Sequence, residues 1–247
     1  MVETVESPLR EVTTTTVWLR LARGTAIGMV VWAIILHFVA RVPVPPVIVV
    51  ALVFAGFAPF LRGERRKLGL SYGIVSALLL LANLPGLLGE IAHYDSAPSF
   101  VLTLASTLIA LTAVVAGFGA FFGWPTTAVR PTLVAAAAIF VVGSAVSVVA
   151  FVTTESDVAL VTDAQLVAER VEFGPETLAL TPGAAGIWVD NKDGVHHTFT
   201  VEALGVDVEI PALKSRRVDF DAAPGTYAFV CTVPGHESMT GTLVVEG

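Results

Sequence analysis

The 247-residue chain contains a single cysteine, Cys231, and only 14% of its residues are charged. One cysteine cannot form a disulfide framework or supply the paired cysteines of a zinc-binding motif. The sequence also has no glycine-rich phosphate-binding loop and no basic patch of the kind that binds nucleic acid. Nucleotide-dependent and nucleic-acid-binding functions are therefore excluded.

Apolar residues make up 55% of the chain, above the roughly 45–50% that is usual in soluble globular domains. A polar tail of residues 1–23 precedes long apolar runs, several of them close to the roughly 20 residues needed to cross a bilayer. Asn83, Pro85 and Gly86 interrupt the third run and predict a kink there. The chain is therefore predicted to begin with a helical membrane domain of about five transmembrane helices, residues 24–153. The predicted spans cover residues 24–40, 42–61, 69–92, 99–123 and 133–152.

Charge is divided unevenly along the chain. Residues 155–247 contain fifteen acidic and five basic residues, a net charge of −10, whereas the preceding part has six acidic and nine basic residues. All nine of these basic residues except Arg41 fall in the tail or in the predicted loops 62–68 and 124–132, and such residues mark the cytoplasmic side of a membrane protein. We therefore predict a multi-pass cell-membrane protein with a cytoplasmic N-terminus. A cleaved signal peptide is the alternative interpretation of the first run.

The last third of the chain has a different pattern. Short alternating runs, such as Thr198 to Glu202 and Arg217 to Asp221, are separated by turn signals at Thr181-Pro182-Gly183, Asp193-Gly194 and Pro224-Gly225. This pattern predicts an antiparallel β-sandwich over residues 166–247. The polar residues 154–165 are predicted to be a linker that tethers the sandwich to the last helix.

One loop near the end of the chain concentrates metal ligands. A strand that places Tyr227, Phe229 and Cys231 on one face leads into a turn with His236 and Met239. A thiolate with two histidines and a weak axial methionine is the ligand set of a mononuclear type-1 copper site.

The second histidine of such a set has to come from upstream, on a neighbouring strand. Residues 191–198 provide it, as either His196 or His197, after the turn at Asp193-Gly194. The chain therefore contains all four ligands, of three residue types, that a type-1 copper site requires.

The segment from about Asp163 to Gly247 resembles the cupredoxin family, of the plastocyanin, azurin and halocyanin kind. Residues 191–198 and 231–239 are the matching motifs. The resemblance implies a Greek-key sandwich, one mononuclear copper ion and an electron-transfer function. It implies the copper ligands His197, Cys231, His236 and Met239.

The resemblance also assigns roles to these ligands. In this family a short polar residue and a strand usually follow the upstream histidine, so His197 fits better than His196, which is the alternative. Cys231 would form the strong covalent bond to copper, and the ring edge of His236 would admit electrons at the surface. Only two residues separate His236 from Met239, which departs from the commonest family spacing. Asn191 is a candidate to brace the loop that carries Cys231, with an ordinary turn role as the alternative.

The helical part contains three further candidate residues, His37, Glu90 and His93. Glu90 and His93 are three residues apart and share a helix face, and ionisable groups in membrane segments are candidate functional sites. Together with His37 they could bind copper, ligate a haem or relay protons from a quinol. Alternatively, Glu90 and His93 end the helix at the membrane interface and His37 hydrogen-bonds a neighbouring span.

The function predicted from the sequence is one-electron transfer by a copper protein on the outer side of the membrane, not enzymatic catalysis. The acidic domain predicts redox protein partners with a basic docking face. Two alternatives stay open: a protein that handles or senses copper, and a subunit of a quinol-oxidising or respiratory complex. A single cysteine excludes the binuclear copper centre, which requires two bridging thiolates.

Overall fold

The computed structural model describes residues 13–40, 43–180 and 183–246. Several residues used above lie outside this range: residues 1–12 of the tail with Arg10, the pair Arg41 and Val42, the turn residues Thr181 and Pro182, and Gly247. Within the described residues, helices occupy the first part of the chain and strands the second. The predicted order, a helical region followed by a β-sandwich, is confirmed.

The helices alternate with short connections. They are α1 Thr14–Ala40, α2 Pro45–Phe57, α3 Arg66–Ala82, α4 Leu84–Ala92, α5 Ala97–Phe122 and α6 Val129–Thr153. The strands follow after residue 163. They are β1 Ala164–Glu169, β2 Glu172–Gly174, β3 Thr177–Leu180, β4 Gly183–Asn191, β5 His197–Val201, β6 Val206–Ile210, β7 Ser215–Ala222, β8 Gly225–Val230 and β9 Thr240–Val245.

The structure does not confirm five membrane spans. In the described part of the chain, three helical segments are long and apolar enough to cross a membrane: Thr14–Val39, Ala97–Phe122 and Thr126–Thr153. A fourth exists if α3 and α4, which are bent by 58° at their junction, form one broken span. The 13 residues of α2 extend only about 20 Å, which is shorter than the roughly 30 Å hydrocarbon core of a bilayer.

The start of α1 differs from the expectation, and the junction of α3 and α4 accounts for the expected kink. The first helix begins at Thr14 and not at residue 24, because Trp18 and Leu19 are fully buried and Trp18 Nε1 donates a hydrogen bond to the Trp124 carbonyl (2.8 Å). The predicted kink lies at the junction of α3 and α4, where Pro85 occupies the first turn of α4. Proline fits there because the first turn needs no backbone donor.

The chain divides into two compact units, and residues 13–31, 46–81 and 108–137 form the first. Glycines set the spacing of its helices: a Cβ added to Gly117 of α5 would lie 2.6 Å from Gly73 Cα and 2.7 Å from the Gly69 carbonyl oxygen of α3. Gly119 and Gly123 act differently. Gly119 packs under the Trp18 ring, while Gly123 ends α5 with a positive φ of 67°.

The second unit, residues 32–45, 82–107 and 138–246, contains the sandwich. One sheet has the strand order β2-β1-β4-β7 and the other the order β3-β9-β8-β5-β6. The pairs β1–β4 and β3–β9 are parallel, so the sandwich is mixed and not purely antiparallel as predicted. In the helical part of this unit, two small residues of α6 make close contacts. Leu104 packs on Gly143, and the buried Ser147 hydroxyl donates to the Tyr94 carbonyl (2.6 Å).

The core of the sandwich follows from alternation along each strand. Side chains of both sheets point inward and are at most 3% exposed; these include Leu166, Ile187, Val189, Phe199, Val218, Phe229 and Leu243. The Phe229 ring lies 5.3 Å, centroid to centroid, from the rings of Phe173 and Phe199. Such aromatic packing contributes about 0.5–1.5 kcal/mol per pair beyond area burial.

The predicted linker is fixed to the domain. The Asp157 backbone N–H donates to the Ser215 carbonyl (3.0 Å), and its carboxylate accepts from the Arg217 backbone N–H (2.8 Å). Trp188 Nε1 donates to the Asp157 carbonyl (3.0 Å). Residue 157 is thus attached to β4 and β7, and β1 begins at Ala164, two residues before the predicted start of the domain.

The glycine contact between α3 and α5 gives a test of this packing. We expect Gly117→Ala to destabilise the full-length protein by roughly 1–3 kcal/mol, because the added methyl group meets backbone atoms that cannot move aside. Gly24→Ala is the matched control, since an added Cβ there meets nothing within 4 Å. Thermal unfolding in detergent measures both. Equal melting temperatures for the two variants would contradict this packing.

Candidate metal centre

The pairing of β5 with β8 brings together the two motifs that the sequence separates. Thr200 lies opposite Val230, so His197 at the start of β5 is near Cys231, the residue after β8. The Thr198 backbone N–H points at Cys231 Sγ (3.4 Å). Thr198 Oγ1 also accepts from the Thr232 backbone N–H (2.7 Å), which ties the cysteine loop to β5.

The loop from Cys231 to Met239 is closed by its own backbone. Cys231 N–H donates to the Met239 carbonyl (2.9 Å), Met239 N–H to the His236 carbonyl (2.8 Å), and His236 N–H to the Val233 carbonyl (3.0 Å). Gly235 has a φ of 91°, a left-handed conformation that glycine adopts without strain. Three backbone hydrogen bonds within the loop therefore stabilise its conformation.

Three ligand atoms converge at this end of the sandwich. His197 Nδ1 lies 3.2 Å from His236 Nδ1, and Cys231 Sγ lies 3.9 Å from the first and 3.7 Å from the second. The point equidistant from the three atoms is about 2.1 Å from each, close to the roughly 2.0–2.3 Å of zinc bonds to imidazole nitrogen and thiolate sulfur. The three residues can hold one metal ion of that size.

The electrostatics of the site favour a metal-binding thiolate. Burial of the Cys231 side chain opposes ionisation, but its hydrogen bonds with His197 and His236 outweigh burial and lower the pKa of Cys231 to about 5. Burial also opposes protonation of His197, but its hydrogen bonds to Asp193 and Cys231 raise its pKa overall. At neutral pH the sulfur is thus ionised, which is the form that binds metals.

The fourth predicted ligand, Met239, is fully buried at the end of the same loop. Its backbone closes the loop through the hydrogen bond with Cys231. A thioether there suits a weak axial position beside a trigonal set of two nitrogens and one thiolate. Axial ligation by Met239 stays a prediction.

The structure separates the two adjacent histidines. His197 is fully buried and contributes to the ligand cluster, whereas the His196 ring stacks on His93 with a centroid distance of 3.9 Å. His196 Nδ1 lies 3.5 Å from a carboxylate oxygen of Glu90. Burial and the nearby histidines lower the pKa of His196 to about 3, so its ring is neutral at pH 7.

Asn191 is fully buried and organises the turn before His197. Its amide Nδ2 donates to the carbonyls of Val195 (2.8 Å), Pro211 (3.0 Å) and Ile210 (3.2 Å). Its Oδ1 accepts from the Asp193 backbone N–H (2.8 Å). These bonds go to the turn that carries His197 and to the end of β6, and not to the loop of Cys231 as predicted.

One residue of the site was missed in the sequence. Asp193 Oδ2 lies 3.0 Å from His197 Nε2, four residues along the chain. Although burial raises the pKa of Asp193, the hydrogen bond from His197 and two backbone N–H groups lower it overall. Asp193-Gly194 was interpreted as a turn signal, and nothing in that dipeptide distinguishes a turn aspartate from a ligand partner.

Of the three candidate residues in the helical part, Glu90 and His93 lie near one another and His37 does not join them. Glu90 and His93 both contact His196, and His93 Nε2 also forms a hydrogen bond with the Glu209 carboxylate (2.6 Å). His37 instead bonds the backbone of its own segment, with Nδ1 facing the Ala33 carbonyl (2.7 Å) and Nε2 accepting from the Val44 N–H (3.3 Å). No feature of the described residues supports a haem or quinone in the helices.

Comparison with known families agrees with this description. Residues 136–245 match the family of the cupredoxin-like domain, a range that begins within α6 and ends with β9. The two-sheet sandwich and its His197–Cys231–His236 cluster thus form a cupredoxin-like domain at the C-terminal end of the chain. No match was found among curated proteins.

Several solved structures are similar to the domain. Auracyanin B is 22% identical, with 38% of this chain and 96% of that chain covered and a TM-score of 0.31. A mutant of amicyanin in its reduced Cu(I) form is 20% identical, with coverages of 36% and 87% and a TM-score of 0.31. The copper-containing nitrite reductase (NirK) from Thermus scotoductus SA-01 is 17% identical, with coverages of 38% and 25% and a TM-score of 0.30.

The adjacent histidines provide a matched pair of variants. We expect His197→Ala to lose copper binding, because it removes one of three converging ligand atoms, and His196→Ala to keep it. Copper content after dialysis and the visible absorption spectrum measure both variants. If the two variants lose copper to the same degree, the assignment of His197 as the ligand is wrong.

Proposed function

We propose that this protein is a type-1 copper protein that transfers single electrons and is anchored in a membrane through its helices. The observation that carries the proposal is the convergence of His197, Cys231 and His236 on one point, with a cysteine whose pKa favours the thiolate. A trigonal set of this kind with a weak fourth ligand is the arrangement of electron-transfer copper sites.

The main role of the site residues would be to keep the copper ligands in one fixed arrangement. Copper, when bound, supplies a one-electron couple. His197 is enclosed by the sandwich, and the hydrogen bonds of the loop fix Cys231 and His236. Because the ligands keep one arrangement, little reorganisation would accompany each electron transfer. The chain needs no general acid, base or nucleophile for this role, so we propose a carrier and not an enzyme.

Electrons would enter at the His236 side of the site. His236 is half-buried, and its neighbours Pro234, Gly235 and Glu237 are exposed. On the His196 side, by contrast, His93 stacks on His196, and the Ala212 backbone N–H donates to the Ser96 hydroxyl (3.0 Å). A partner protein therefore has access to the loop of His236 and not to the His196 side.

Membrane attachment is supported by the surface of α6. Large apolar side chains cover this helix and are more than half exposed, among them Ile139, Val141, Val142 and Val149. A contiguous apolar surface of this kind requires lipid or protein around it. A lipid bilayer fits because the segment Thr126–Thr153 is long enough to span it.

The charge distribution supports an orientation and a class of partner. Basic residues cluster in the loop after α2 and at the start of α3, at Arg62, Arg65, Arg66 and Lys67, whereas the C-terminal part carries the net charge of −10 derived above. We propose that the basic loop is cytoplasmic and the copper domain extracellular or periplasmic. Redox partners with a basic docking face would associate with such a domain, and added salt would slow the association.

The copper assignment is tested by absorption spectroscopy of the purified full-length protein. We expect an intense charge-transfer band in the visible region for the oxidised, copper-loaded protein, because a thiolate donates charge to Cu(II). Cys231→Ser should abolish the band while the domain stays folded, since Cys231 is only one of the many residues that form the core. A colourless copper-loaded wild type, or a serine variant that stays blue, would overturn the assignment. The same spectrum reports any bound haem.

The orientation is tested with single cysteines introduced at exposed sites, because Cys231 itself is buried. An impermeant maleimide added to intact cells should label Glu176→Cys on the sandwich. It should label Arg65→Cys only after the cells are lysed. The wild-type protein controls for reaction at Cys231. Labelling of Arg65→Cys in intact cells would show that the proposed orientation is inverted.

A further inference from the structure

Both ring nitrogens of the buried ligand His197 have partners. Its Nδ1 faces Cys231 and His236, and its Nε2 lies 3.0 Å from Asp193 Oδ2. When Nδ1 binds a metal, the one ring proton has to be on Nε2. The His197 Nε2–H group then donates its hydrogen bond to the carboxylate of Asp193.

The carboxylate cannot easily turn away from the ring. Its Oδ1 accepts from the Arg170 backbone N–H (2.8 Å) and its Oδ2 from the Val171 backbone N–H (2.9 Å). Arg170 and Val171 have φ angles of 58° and 61°, a left-handed conformation that is uncommon for residues with side chains and rare for a β-branched one. Successive N–H groups in such a turn form a concave site for an anion.

The backbone of Asp193 is fixed as well. Its N–H donates to Oδ1 of the fully buried Asn191, whose amide is itself held by three carbonyl groups. Only 15% of the Asp193 side chain is exposed, and the His197 side chain is not exposed at all. Water therefore competes little with the bond between carboxylate and imidazole.

We propose that Asp193 is a positioning residue for the metal ligand His197, and that its negative charge stabilises the oxidised over the reduced form of the bound ion. This inference rests on the copper-carrier function proposed above. A carboxylate that accepts the ring proton fixes the tautomer of a ligating histidine and makes its other nitrogen a stronger donor. A stronger nitrogen donor favours Cu(II) over Cu(I) and so lowers the reduction potential.

The variant Asp193→Asn removes the charge with little change of shape. An asparagine carbonyl can still accept the Nε2–H bond, but the full negative charge is gone, and the amide nitrogen in place of Oδ1 can no longer accept from the Arg170 backbone N–H. Partners of this kind commonly change metal affinity by about 10–100-fold. We expect the preference for Cu(II) over Cu(I) to fall by about tenfold, which for one electron equals a potential rise of about 59 mV.

The experiment compares full-length wild type with Asp193→Asn, Asp193→Glu and Glu237→Gln. Glu237 is an exposed carboxylate beside His236 whose side chain accepts from the Gly235 backbone N–H (2.9 Å). It therefore controls for loss of one negative charge near the site at a carboxylate that is bonded to the loop backbone and not to a ligand ring. Copper content and the visible band are recorded first, followed by the reduction potential from spectroelectrochemical titration.

The inference predicts that Asp193→Asn stays blue with a raised potential, that Glu237→Gln shifts the potential much less, and that Asp193→Glu returns it toward the wild-type value. An Asp193→Asn potential equal to that of wild type or of Glu237→Gln would overturn the inference while leaving the copper function intact. A wild type that binds no copper would instead refute the proposed function.

A measurement on the metal-free protein tests the hydrogen bond itself. The His197 Nε2–H proton should give a downfield NMR signal protected from exchange with water, and Asp193→Ala should remove this protection. A rapidly exchanging signal in the wild type would overturn the positioning role. This result does not depend on copper loading or on the folding of Asp193→Asn.

Discussion

The metal centre depends on the register of β5 against β8. Side chains alternate along a strand, so a slip of one residue would turn His197 out of the site and Thr198 into it. Phe199 and Phe229 oppose such a slip, because both rings are fully buried in the core and packed on each other. The Thr198 N–H that points at Cys231 Sγ adds a second restraint at the site. Packing of core residues next to the metal ligands thus determines whether the ligands meet.

The ligands could be predicted from sequence because their chemistry is concentrated in few residues. The protein has one thiol, and His236 and Met239 follow it within a turn. The adjacent His196 and His197 show the limit of such reasoning, since both carry the same donor atoms. Only their position at the start of β5 distinguishes them: His197 is its first residue and faces the ligand cluster, whereas His196 precedes the strand and faces Glu90 and His93.

Other features could not be predicted because no local signal marks them. Asp193 bonds to His197 only because the turn folds back, and a turn aspartate has the same sequence signature whether or not it binds a ligand ring. The helices present a similar limit. Apolar runs show where a helix can form, but the start of α1 at Thr14 depends on the burial of Trp18, and the length of α2 depends on where its helix ends.

The attachment of residue 157 to β4 and β7 has a consequence for how the copper domain meets other molecules. A flexible tether would let the domain search a volume set by chain length. Here the hydrogen bonds of Asp157, with Ser215, Arg217 and Trp188, shorten the free chain between α6 and the sandwich to a few residues. Under the proposed carrier function, the domain would therefore keep a nearly fixed position, and the diffusion of its partners would set how often they meet it.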